Sequence, residues 1–144
     1  MSVTLMIHVL AAGIWLGCLA TEIAFEKAMA ADPSVRGFVS RLHDRVDRFV
    51  EGPAFVAVAA SGAMLLVGGG ALGTVMIVKI ALGTGAVLAN VWCLGLVLAR
   101  AEAARHDPSG DAWIALDRRQ HLAGTVVTVL VAAATLAAWA HAAT

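Results

Sequence analysis

Charge is scarce in this chain. Charged residues fill 14% of its 144 positions, where a soluble domain has about 25%. Ten basic residues balance ten acidic ones, so no net charge draws it to nucleic acid. Cys18 and Cys93 are the only cysteines, too few for a disulfide scaffold, and their apolar surroundings read as those of reduced thiols. Nucleophile elbow, phosphate loop and Cys-x-x-Cys are all absent, which argues against hydrolase and nucleotide chemistry. No linker, low-complexity tract or repeat interrupts residues 1–144, so a single domain is expected.

What the chain does contain is apolar. Hydrophobic residues reach 60%, which excludes disorder. Four runs carry no charge: Met1 to Thr21, Gly52 to Val78, Ile80 to Ala99 and Leu122 to Ala140. A membrane-crossing helix needs roughly 20 such residues. The second run is long enough to need a break, and Gly68-Gly69-Gly70 supplies one. The expected fold is all-α: an integral membrane four-helix bundle with cytoplasmic helix extensions. Its helices should run over about 3–28, 38–67, 74–104 and 112–141. The first run does not read as a cleaved signal. It lacks a basic leader, and Glu22 and Glu26 follow it.

Basic residues set the expected orientation. Lys27, Arg36, Arg41, Arg45 and Arg48 lie between the first two helices, and Arg100, Arg105, Arg118 and Arg119 between the last two. The middle connection has none, so both termini are expected on the outer side. Asp32-Pro33 suits a helix start, Asp107 to Asp111 a turn with Asp111 as the cap, and Gly52-Pro53 a kink.

Ionisable groups inside membrane helices are costly and usually face the bundle interior. Projected at about 100° per residue, His8, Ala11, Trp15, Cys18, Glu22 and Glu26 share a stripe on the first helix. Lys79, Gly83, Ala86, Asn90 and Cys93 do so on the third, and Asp117, His121, Gly124, Thr128 and Thr135 on the fourth. In the second, Leu42, Val46 and Phe49 form an apolar face, bordered by His43, Asp47 and Glu51 at i, i+4, i+8. Arg41, Arg45 and Arg48 lie opposite, suited to snorkelling or to lipid phosphates.

Depth sorts these groups into two layers. Glu22 lies 14 residues beyond His8, about 21 Å further along the helix. The inner layer gathers Glu22, Glu26, His43, Asp47, Glu51, Asp117 and His121. Carboxylates and imidazoles on facing helices build sites for iron, manganese or zinc, whereas copper(I) favours softer donors. Glu22, Glu26, His43, Asp47, Glu51 and His121 are the candidate metal ligands. The alternative is an ion-pair lattice with Arg41, Arg45, Arg48, Arg118 and Arg119. The outer layer pairs His8, a candidate haem or metal ligand, with Lys79, a candidate partner for a propionate or substrate carboxylate. The alternatives are a buried histidine bonded to a neighbouring helix and a snorkelling lysine. His141, at the chain end, reads as solvated, as does His106. Trp15 and Trp92 read as packing or belt residues, Trp113 and Trp139 as belt anchors at the two interfaces.

The first helix reads His8-Val-Leu-Ala-Ala-Gly-Ile-Trp15-Leu-Gly17 and the third contains Val78-Lys79-Ile-Ala-Leu82. Together with the stretch from Arg48 to Pro53 and with Ser61-Gly62, this resembles a superfamily of small four-helix membrane proteins. Its members include CopD copper-resistance proteins and the HemJ type of protoporphyrinogen oxidase. The resemblance covers about 70 residues, half the chain, through short motifs. It implies a haem b or copper role in the bacterial inner membrane, with His8 and Lys79 at the matching positions and a quinone or porphyrinogen as electron partner. The oxidase type carries a second histidine about three turns after the lysine, where this chain has Asn90. The inner acidic layer also departs from that pattern. Two other functions compete: transition-metal uptake or delivery, with copper the foremost cargo, and a structural subunit of a larger membrane complex or homo-oligomer.

Overall fold

Long apolar stretches in lipid must satisfy every backbone group internally, and helices do so. A computed structural model describes residues 2–69 and 73–142, except the side chains of residues 141 and 142. The chain is all-α. Helix α1 runs over Val3–Ala31, α2 over Arg36–Val46, α3 over Gly52–Val67, α4 over Thr74–His106 and α5 over Asp111–Ala142. A short 3-10 turn, Pro33–Val35, leads into α2, and a π-helical turn, Asp47–Glu51, joins α2 to α3, so the two form one interrupted rod. The four rods are each long and apolar enough to cross a bilayer, which makes this a multi-pass membrane protein with a four-helix bundle. Gly70 of the glycine triplet and the His141 side chain lie outside the described residues.

Local signals set the ends. Ser2 Oγ accepts from the Leu5 amide at 3.2 Å and caps α1. Asp32 accepts from the Ser34 amide at 2.9 Å, and its bonds to Ser34 hold its carboxyl below the usual carboxylate range. Asp111 is the first residue of α5, not the residue before it. Its charge still favours that end, because it sits where the helix dipole is positive.

The interruption in the second rod is dictated by Gly52-Pro53. Pro53 has no amide hydrogen and its ring crowds the carbonyl four residues back. The chain answers with a wider turn, in which the Gly52 amide bonds back five residues to the Asp47 carbonyl. A Cβ at position 52 would meet that carbonyl oxygen at 2.9 Å, so only glycine fits. The wide turn also rephases the rod. On a regular helix, His43, Asp47 and Glu51 would drift about 40° per step; here all three are buried.

Helix α1 packs chiefly on α3, α4 on α5, and α2 on α4. Two apolar clusters result. The larger joins Trp15, Leu19, Ala54, Phe55, Ala86, Cys93, Ala123, Val127 and Val131. The smaller joins Met29, Val39, Ala104 and Trp113 near the α1–α2 and α4–α5 connections. Between them, in register on every rod, lies a layer of polar side chains.

Two expectations about faces are corrected, on α5 and at Trp113. In α2 and the π turn the polar residues His43, Asp47 and Glu51 face inward toward Glu22, while Phe49 of the apolar face is 76% exposed. Lipid is as apolar as a protein core, so outward Phe costs nothing and inward polar groups gain partners. On α5 the buried face is Trp113, Gln120, Ala123, Val127 and Val131. The Thr128 and Thr135 hydroxyls instead bond to carbonyls of their own helix at 2.8 Å. Trp113 is a core residue, 4% exposed, rather than a belt anchor. Its indole N–H donates to Ser40 Oγ at 3.3 Å and the Arg36 guanidinium stacks 5.0 Å from its ring. Trp139 is exposed, as expected of a belt residue.

Candidate metal centre

Each residue of the polar layer is placed by the helix pattern that surrounds it. On α1, Glu22 and Glu26 continue the buried line of Ala11, Trp15 and Cys18. On α4, Asn90, Cys93, Val97 and Arg100 form one line. Arg100, expected in a connection, is fully buried at the centre of the bundle. It lies seven residues after Cys93, two turns further along the predicted stripe, which is the signal that locates it.

Arg100 organises half of the layer. Its Nη1 donates to Glu26 Oε1 at 3.0 Å and to Asp117 Oδ1 at 2.6 Å. Its Nη2 donates to His43 Nδ1 at 3.0 Å. A guanidinium has no acceptor atom, so His43 Nδ1 must be the acceptor. The proton of the neutral ring therefore sits on Nε2. That atom faces Glu22 Oε1 at 3.6 Å and Asp47 Oδ1 at 3.4 Å.

His43 Nε2, Glu22 Oε1 and Asp47 Oδ1 are all buried, and none makes a hydrogen bond. An N–H···O bond spans about 2.7–3.2 Å, so the three atoms stand too far apart for one. Donors about 2.0–2.2 Å from a shared ion at tetrahedral angles lie about 3.3–3.6 Å apart, which is the spacing from Nε2 to both oxygens. Glu22, His43 and Asp47 thus form a closed set of two carboxylates and one imidazole. Glu51, whose Oε1 accepts from the Trp15 indole at 3.1 Å, borders it, with Glu22 and Asn90 beside it.

Charge balance points the same way. Glu22, Asp47 and Glu51 are buried together, and Arg100 is already shared by Glu26 and Asp117. Unbalanced buried carboxylates in lipid are costly, and a cation or protons must offset them.

A second set lies at the rim. Glu26 Oε2 is 3.1 Å from His121 Nε2, and Asp117 Oδ2 is 3.6 Å from His121 Nδ1; the His121 side chain is about half exposed. The arginines expected to neutralise the acids contribute little. Among the described residues Arg48 pairs with Asp44 at 2.6 Å, and Arg41, Arg45, Arg118 and Arg119 form no ion pair. His106, largely exposed, reaches only Glu102.

The outer layer is simpler. His8 Nδ1 lies 3.1 Å from the Val58 carbonyl and 3.0 Å from Ser61 Oγ. The carbonyl can only accept, so Nδ1 carries the proton and Nε2 keeps its lone pair. Gly62 lies under the ring; a Cβ there would meet Cε1 at 3.3 Å. Lys79 is close enough for its charge to act on His8. Between the two layers, an apolar groove of ≈ 470 Å³ opens toward lipid, lined by Ile7, Leu10 and Ile14 of α1 and by Val50, Pro53 and Ala57 of the second rod.

No protein-family model, no curated protein and no solved structure matches this chain.

Proposed function

We propose that this chain is a membrane metalloprotein of redox function, holding one transition-metal ion between Glu22, His43 and Asp47. The observation that carries the proposal is the convergence of three buried, unbonded donor atoms at metal-ligand spacing. Two carboxylates and one imidazole suit iron, manganese or zinc. Copper(I) is less suited, since Cys18 and Cys93, although buried nearby, do not belong to the donor set. The bound ion supplies charge to the carboxylates and, if iron or manganese, one-electron chemistry. The protein's own part is to present the donors dry and in place. To ligate through Nε2, His43 would have to present that atom's lone pair and carry its ring proton on Nδ1, with Arg100 Nη2 withdrawn from it and Glu26 Oε1, 3.8 Å from Nδ1, as the acceptor.

The resemblance to CopD and HemJ-type proteins adds a second reading, a haem b at the outer layer. Its support is the His8 tautomer: an Nδ1–H bonded to a carbonyl is the arrangement that orients a ligating histidine. Lys79 would face a propionate. The apolar groove beside α1 suits the tail of a quinone as electron partner. On this proposal the protein sits in the bacterial inner membrane with both termini outside. Metal uptake or delivery, copper included, remains the competing use of the same ligands.

Absorption spectra and elemental analysis of gently solubilised protein test both readings. We expect one tightly held iron, manganese or zinc per chain, lost in His43→Ala. A haem at the outer layer adds a Soret band lost in His8→Ala. A colourless protein that takes up no metal from a replete medium contradicts both.

A further inference from the structure

We propose that Arg100 supplies the positive charge that a second metal ion would bring, and so keeps the centre mononuclear. This rests on the metal reading above and deepens it. The polar layer contains two sets of identical chemistry side by side: Glu22, Asp47 and His43, then Glu26, Asp117 and His121. Each offers two carboxylates and one imidazole, the composition of half a dinuclear carboxylate centre in a helical bundle. They adjoin: His43 Nδ1 is 3.8 Å from Glu26 Oε1.

The first set is a closed cage whose donors have no partner. In the second, a cation is already present. The Arg100 Nη1 group bridges Glu26 Oε1 and Asp117 Oδ1, the oxygens opposite those that face His121, and Nη2 reaches across to His43 of the first set. Arg100 is completely buried, and its Nε makes no hydrogen bond. The geometry is therefore that of a charge placed between two acids, not of a guanidinium with every donor satisfied. An arginine side chain is tethered and cannot leave. Its charge on Glu26 and Asp117 opposes a second cation at their outer oxygens, and only the first set is open to an exchangeable ion.

The test is metal stoichiometry, read by elemental analysis of protein purified with manganese or zinc in excess. The wild type should carry one ion per chain. Arg100→Met, which keeps length and removes charge, should carry two, and Arg100→Met combined with His121→Gln should return to one. Arg100→Lys, which keeps the charge, should stay at one. A wild type with no ion sinks the metal reading itself. One ion in both the wild type and a folded Arg100→Met protein leaves that reading standing and overturns this inference, as does a wild type with two. If Arg100→Met fails to fold, Glu26→Gln and His121→Gln in the wild-type background decide. Retention of the single ion supports the inference, and its loss overturns it.

Discussion

The two polar regions of this bundle are built in opposite ways. At the His8 end one imidazole leans on a carbonyl and a hydroxyl of α3 and remains half open. At the other end, Glu22, His43, Asp47, Glu51, Asn90, Arg100 and Gln120 are stacked into one layer and closed above and below by apolar clusters. An open histidine can exchange its ligand with the membrane phase. A sealed layer can hold only what was admitted at assembly or through its rim. The difference in burial separates an imidazole open to exchange from a set of polar groups closed to it.

The comparison can be broken at four points. The largest effect is expected in the sealed layer. Asp47→Asn or Glu22→Gln should weaken metal binding by at least about 100-fold, since each removes one of three donors; titration of stripped protein with manganese or zinc measures it. Unchanged affinity would mean that the layer is an ion-pair lattice. Next comes its lid. Trp113→Ala removes a buried indole and should cost about 3–5 kcal/mol, seen as a large fall in melting temperature in detergent. Trp139→Ala, at an exposed position, should change stability by no more than about 0.5 kcal/mol.

Gly52→Ala should come third. The added methyl strikes the Asp47 carbonyl, so the π turn must shift, and we expect about 10-fold weaker metal binding together with lower stability. Gly13→Ala, where nothing lies within 4 Å of the added carbon, is the control and should be silent. The smallest effect tests independence. Ser61→Ala removes one hydrogen bond to His8, worth about 1 kcal/mol, and should alter any haem spectrum while leaving the metal stoichiometry of the sealed layer unchanged.

Much of this arrangement was legible in the chain. Uncharged run lengths gave the four rods, and projection gave the inward line of Trp15, Cys18 and Glu22. What failed did so for physical reasons. On α5 the stripe of Asp117, His121, Gly124, Thr128 and Thr135 is not the buried face, because the hydroxyls bond to carbonyls of their own helix and packing falls to Trp113, Ala123, Val127 and Val131. Arg100 was assigned to a connection because charge usually ends a membrane helix. Its partners, Glu26, His43 and Asp117, lie 74, 57 and 17 residues away, and no local pattern reports them. The rephasing at Asp47–Glu51 is likewise invisible to a projection that assumes a constant turn, although Gly52-Pro53 marks its place.

The central claim is that Glu22, His43 and Asp47 bind one ion directly. X-ray absorption at the metal edge of loaded wild-type protein reads this without an assay of activity. The account predicts a low-coordinate shell of nitrogen and oxygen at about 2.0–2.2 Å, with the outer-shell scattering of one imidazole that disappears in His43→Ala. A shell of water oxygens alone, or one dominated by sulfur, would contradict it.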